Sequence, residues 1–103
     1  MRRVRIAPSA RDAFQHLLEQ GAEKFGIALV MQKERAVYEA LDTKIALSPH
    51  QGAFDEHLEL LTYHVKKTPF VLVYEYDDAE VRVLFIVHER ADRRSLDPSS
   101  VDW

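Results

Sequence analysis

The stretch Phe70–His88, FVLVYEYDDAEVRVLFIVH, decides the fold of this chain of 103 residues. It contains two runs rich in β-branched and aromatic residues, Pro69–Tyr76 and Val81–His88, and each run predicts a strand. Asp77-Asp78-Ala79 between them is too short for a crossover connection, so the two strands are expected to form an antiparallel hairpin. Both strands are apolar on both faces over much of their length, which predicts that other parts of the structure cover the sheet on its two sides.

Upstream of this hairpin the hydrophobic residues follow a helical period. A short strand is predicted at Arg3–Ala7, followed by a helix with Ser9 as its N-cap and Asp12 in the place of a capping-box acid. Gly26 is expected to end this helix, and a second helix is expected from Ile27 to Leu47, so that the two form a helical hairpin. The apolar face of the first helix comprises Ala10, Ala13, Phe14, Leu17, Leu18, Gly21 and Phe25.

Residues 54–67 admit two interpretations. Phe54, Leu58, Leu61 and Val65 fit a helix, whereas the alternation expected of a strand is less clean, so periodicity alone slightly favours the helix. The order of strand, helices and further strands predicts an α+β fold. We expect a single domain, 1–103, with a helical hairpin packed on a mainly antiparallel, twisted sheet of about four strands.

The composition excludes several classes of protein. The chain has no cysteine, which excludes a disulfide framework, a thiolate zinc site and a cysteine nucleophile. It has no apolar run of transmembrane length and no signal-like opening, so we expect a cytoplasmic protein without a membrane partner. Its formal net charge is −3, and this disfavours direct DNA binding by the chain alone, which ordinarily requires a net basic surface. We expect no metal and no cofactor.

The chain resembles the ParE/RelE family of toxins from type II toxin–antitoxin operons, over nearly its whole length. The resemblance lies in the strand that runs through Ala7–Ala10 into a helix, in the helical hairpin, and in the hairpin Phe70–His88 followed by arginine and aspartate residues at 90–93. The family's sheet has a strand just before that final hairpin. The resemblance therefore shifts the interpretation of the ambiguous stretch toward a strand at about His57–His64.

The resemblance implies a growth-inhibiting toxin that an antitoxin protein, encoded beside it, neutralises. ParE-like toxins of this family poison DNA gyrase, whereas RelE-like toxins cleave mRNA on the ribosome. Glu59, His88 and Arg90 are the candidate catalytic residues for such a nuclease. This set is incomplete, because Phe70 and its neighbours are apolar where many of the nucleases carry an arginine. The resemblance therefore favours a ParE-like toxin that acts by binding gyrase. A RelE-like endoribonuclease and an inactive interaction module of the same fold are the alternatives, and a homodimer is a further candidate assembly.

The residues expected to bind the target lie in the last strand and the tail after it. They are Arg82, His88, Arg90, Arg93 and Arg94. Each also has a plainer interpretation. Arg82 is placed to pair with Glu75 across the hairpin, His88 to form a hydrogen bond at the strand end, and the later arginines to belong to a solvated tail. Trp103 is expected either to pack back on the domain or to mark a partner-binding position.

Overall fold

A computed structural model describes all residues, 1–103, and contains two helices on a five-stranded sheet. The strands are β1 Arg3–Ile6, β2 Ala53–Asp55, β3 Leu60–His64, β4 Phe70–Tyr76 and β5 Glu80–His88, and the helices are α1 Pro8–Phe25 and α2 Ile27–Ala40. The strand order is β1-β5-β4-β3-β2, in which β1 runs parallel to β5 and all other neighbours are antiparallel. This confirms the predicted α+β class. The fifth strand arises because 53–55 pair with β3. Neither helix has the combination of length and apolar character that a membrane crossing requires.

The ambiguous stretch 54–67 forms strands and a turn, so the helical interpretation is wrong. The predicted strand is shorter than expected, because 56–59 form the turn between β2 and β3. The carboxylate of Asp55 accepts a hydrogen bond from the backbone N–H of Leu58 at 3.0 Å, which closes this turn. Glu59 takes a left-handed conformation there, with φ 57°.

The helical hairpin is present, but its helices begin and end differently from the prediction. Helix α1 starts at Pro8, and its N-cap is Ala7 with no side-chain cap, so the prediction of Ser9 as N-cap is wrong. Proline suits the first helical turn because its φ is preset and it has no N–H to satisfy. Helix α2 ends at Ala40 rather than at Leu47, because a wider π-helical turn follows at Leu41–Ile45.

The main core lies between the helical hairpin and one face of the sheet. Phe14 is at its centre, and its ring meets Phe70 edge-on at 5.1 Å and Tyr38 at 6.0 Å between centroids. The largest side chains buried with it are Leu41, Ile45, Leu72, Tyr74 and Ile86. A smaller cluster covers the other face of the sheet and comprises Leu58, Leu60, Val73 and Leu84, with Leu96 and Val101 of the tail packed against it. Both faces of the hairpin are thus covered, as its apolar residues predicted.

Tyr74 links the sheet to the loop that follows the helices. Its hydroxyl donates a hydrogen bond to the carbonyl oxygen of Pro49 at 2.6 Å, and its side chain is fully buried. Gly52 lies against this hydroxyl, and a Cβ at that position would come within 2.4 Å of the Tyr74 oxygen. Glycine is therefore required at position 52 for the close approach.

We expect the free energy of unfolding to fall between pH 10 and pH 12 because of Tyr74. Burial raises the pKa of this phenol from 10.0 to about 12, so the unfolded chain releases the proton before the folded chain does. The resulting stabilisation is fully present below pH 10 and is lost as the pH approaches 12, with a total of about 2–3 kcal/mol. Urea unfolding across this range should show a smaller loss in Tyr74→Phe than in the control Tyr76→Phe, whose side chain is exposed. An equal loss in both variants would contradict the assignment.

Candidate functional site

An apolar groove of about 340 Å³ opens where the helical hairpin meets the start of β4. One wall comes from the facing ends of the two helices, and the other comes from Pro69 and Phe70, with His88 at the end of β5. The helical wall is formed by Leu17, Leu18, Phe25, Leu29 and Val30. Three elements that are distant in sequence therefore build one concave apolar surface, the form that protein and ligand sites commonly take.

The hairpin turn holds the two helices close together at this groove. Gly26 reverses the chain with φ 88°, and its N–H donates a hydrogen bond to the carbonyl oxygen of Ala22 at 3.0 Å. Gly21 faces α2 so closely that a Cβ there would lie 3.2 Å from Val30. The small residue and the left-handed turn therefore set the shape of the helical wall.

Large apolar side chains remain exposed at the turn of the helical hairpin, and two of them, Phe25 and Leu29, line the groove. The exposed fractions are 67% for Phe25, 70% for Ile27, 41% for Leu29 and 52% for Met31. Four such residues lie within seven positions, and this group, here called the apolar patch, exceeds the single scattered apolar residues that are normal on a protein surface.

The charges at the groove are positive. Lys24 and Lys33 line it, and no carboxylate does. The ammonium group of Lys33 also donates a hydrogen bond to the carbonyl oxygen of Lys67, which ties α2 to the turn between β3 and β4. That turn carries the exposed Lys66 beside Lys67. A chain of net charge −3 therefore presents a local basic rim around an apolar floor.

The turn before β4 positions the sheet wall of the groove. The hydroxyl of the buried Thr68 donates to the carbonyl oxygen of Val65 at 2.9 Å and accepts from the N–H of Phe70 at 3.1 Å. Lys67 takes a left-handed conformation with φ 64°, an uncommon state for a residue other than glycine. These bonds hold Pro69 and Phe70 against the helices.

Arg82, a predicted target-binding residue, is surrounded by carboxylates of its own hairpin. Its guanidinium group contacts Glu75 at 2.8 Å, Asp77 at 2.8 Å and Glu80 at 2.9 Å. The predicted pair with Glu75 is confirmed. The hydrogen bond from Arg82 is the main reason that the pKa of Asp77 falls to about 2, and the bond to Asp77 is the main reason that the pKa of Arg82 rises. The guanidinium group is thus occupied within the chain.

The proposed nuclease residues are not brought together. His88 pairs with Phe70 at the start of β4, whereas Glu59 lies in the turn before β3, at the end of the sheet where β4 finishes. His88 lines the groove, and its Nδ1 accepts a hydrogen bond from the N–H of Arg90 at 3.1 Å. The plainer interpretation of His88 as a strand-end hydrogen-bonding residue is therefore confirmed.

The arginines of the tail do not form one cluster. Arg94 pairs with Asp92 at 3.1 Å, and Arg93 approaches Asp55 on β2 at 3.6 Å. The Asp92 carboxylate accepts hydrogen bonds from Arg94, and these lower its pKa. Arg90 is exposed and makes no ion pair. Of the predicted target-binding cations, it is the one that keeps its charge unpaired.

Sequence reasoning missed the groove, which depends on how the two helices and β4 meet. The available signal was an excess of apolar residues at the hairpin turn. Leu29 and Met31, which closely follow Gly26, are part of this excess.

Comparison with known proteins identifies the fold. No protein-family model matches the chain, and no curated protein matches it. Among solved structures, a chain of the chromosomal ParDE TA system from P. aeruginosa is similar, with a TM-score of 0.73 and 16% sequence identity over 85% of this chain and 96% of that chain. The chain therefore shares the α+β fold of this ParDE chain.

Proposed function

We propose that this chain is the toxin of a type II toxin–antitoxin pair and acts in the cytoplasm. The observation that carries the proposal is the likeness of its fold to a chain of a ParDE TA system, which extends over almost all of that chain. The exposed apolar patch at the helical hairpin supports the proposal, because exposed patches of this kind commonly bind other proteins.

The antitoxin, encoded beside the toxin, would occupy the groove. The floor is apolar and the rim carries Lys24 and Lys33 without a carboxylate. The complementary partner is an amphipathic helix with two or three apolar anchors and acidic residues beside them. Helix-in-groove binding of this kind buries the side chains that are exposed in the free chain.

DNA gyrase is the proposed target, and binding rather than covalent chemistry is the proposed mode of action. Glu59 and His88 lie at opposite ends of the sheet, so a nuclease based on this pair has no geometric support. Arg90, beside the groove residue His88, is the unpaired cation that we assign to target contact.

Macromolecular synthesis after induction of the chain alone in bacteria tests the proposal. Labelled thymidine and labelled methionine are followed in parallel from the same culture. We expect thymidine incorporation to stop first, with induction of the DNA-damage response. If methionine incorporation collapses first, the target is the ribosome, and unimpaired growth with abundant folded protein would identify an inactive module.

A further inference from the structure

The C-terminal segment crosses the sheet on the face opposite the helices. It leaves β5 after His88, and the N–H of Glu89 donates to the carbonyl oxygen of Pro69 at 2.7 Å. Arg93 then approaches Asp55 on the edge strand β2 at 3.6 Å. At the other edge, the Trp103 ring lies 5.0 Å from the guanidinium carbon of Arg5 on β1. Residues 90–103, here called the C-terminal strap, therefore span the full width of the sheet.

The strap covers an apolar surface. Leu96 packs against the smaller hydrophobic cluster, which Phe85 and Val87 extend, and Val101 packs against both this cluster and the main core. Val73, at the centre of that cluster, is completely inaccessible to solvent. Both helices pack on the opposite face, and on this face only the turn residue Leu58 joins the strand residues of the cluster, so departure of the strap would expose much of the cluster to water.

Beyond the bonds from the N–H groups of Arg90 and Ala91 to His88 at the end of β5, the strap is held to the sheet by side chains alone. Its other backbone hydrogen bonds are local and form two single turns, Arg93–Ser95 and Pro98–Ser100, each capped by the aspartate before it. The contact of Arg93 with Asp55 at 3.6 Å exceeds hydrogen-bond length, and the buried Nε of Arg93 has no acceptor. Segments with few buried contacts and no shared backbone ladder open at lower free energy than the rest of a fold.

We propose that residues 90–103 form a strap that detaches as a unit while the sheet and the helical hairpin stay folded. Detachment converts a covered apolar sheet face into an open one. A molecule that binds this face must first displace the strap. Its apparent affinity is therefore the affinity for the open form multiplied by the fraction of chains that are open. The contacts of the strap with the smaller cluster lie on the side of the sheet opposite the groove, and the inference does not depend on the identity of the target.

Thiol labelling tests the strap directly, because the chain has no cysteine of its own. Val73→Cys places a thiol beneath the strap, and Leu72→Cys places one on the helical face of the same strand, where it is equally inaccessible. Under native conditions we expect the thiol at position 73 to react at least about tenfold faster than the thiol at position 72. Trp103→Ala should accelerate labelling at position 73 and leave the rate at position 72 unchanged.

Equal labelling rates at the two positions would overturn the proposal, because both thiols would then become accessible only through global unfolding. Circular dichroism establishes that each variant is folded. Should either fail to fold, Leu84→Cys and Val83→Cys provide a second pair of neighbours, with Leu84 in the cluster beneath the strap and Val83 in the main core. Faster labelling at position 84 supports the strap, and equal rates refute it.

Discussion

Leu29→Glu is expected to weaken binding of the antitoxin encoded beside this chain by about a hundredfold or more, the range of central interface residues. Leu29 lines the groove and is 41% exposed in the free chain. A carboxylate at this position would have to be buried against the apolar anchors of the partner helix, without a hydrogen-bonding partner of its own. It would also repel the acidic residues that the basic rim is expected to attract.

Leu47→Glu is the matched control for this prediction. Leu47 is 55% exposed and does not line the groove, so the same change in charge and size should leave the affinity unchanged. The measurement is isothermal titration calorimetry with the purified product of the neighbouring gene. If both variants bind the antitoxin as tightly as the unmodified chain does, the antitoxin binds another surface. That result would not contradict the proposed toxin activity.

Phe14→Ala should produce the largest loss of stability in the chain, a decrease of about 3–5 kcal/mol in the free energy of unfolding. Phe14 is 1% exposed and contacts Phe70 and Tyr38 edge-on, so the truncation leaves a cavity where both helices meet the sheet. A domain of this size has a total stability of roughly 5–10 kcal/mol. The variant is therefore expected to be partly unfolded at 37 °C.

Urea unfolding monitored by circular dichroism measures this loss. Gln15→Ala, at the exposed neighbouring position of α1, should change the free energy of unfolding by less than about 0.5 kcal/mol. A decrease below about 1 kcal/mol in Phe14→Ala would mean that the core closes around the cavity, and the central role assigned to Phe14 would be wrong.

The fold could be predicted where local patterns and tertiary packing agree. Pro69–Tyr76 and Val81–His88 are rich in β-branched and aromatic residues on either side of a short acidic turn, and β4 and β5 follow these limits within one residue. Gly26 likewise marks the end of α1. The secondary structure of residues 54–67 could not be assigned from the periodicity of their apolar residues. A three-residue strand followed by a turn is too short to show a periodic pattern. The Asp55 side chain that closes this turn acts through a single hydrogen bond.

The candidate site was less predictable because it depends on distances between elements. Charge and residue type alone suggested Arg82 and the arginines of the tail, yet three carboxylates occupy Arg82, and Arg93 and Arg94 have acidic neighbours of their own. The groove instead combines residues from α1, α2 and the start of β4. No pattern within one element contains that information.

Supercoiling of relaxed plasmid by purified DNA gyrase, in the presence of this chain, tests the central claim most directly. We predict that the folded chain inhibits supercoiling and causes cleaved DNA to accumulate, that the antitoxin restores activity, and that Arg90→Ala weakens the inhibition. Full supercoiling activity at a large molar excess of the folded chain, with no cleaved DNA, would contradict the assignment of gyrase as the target.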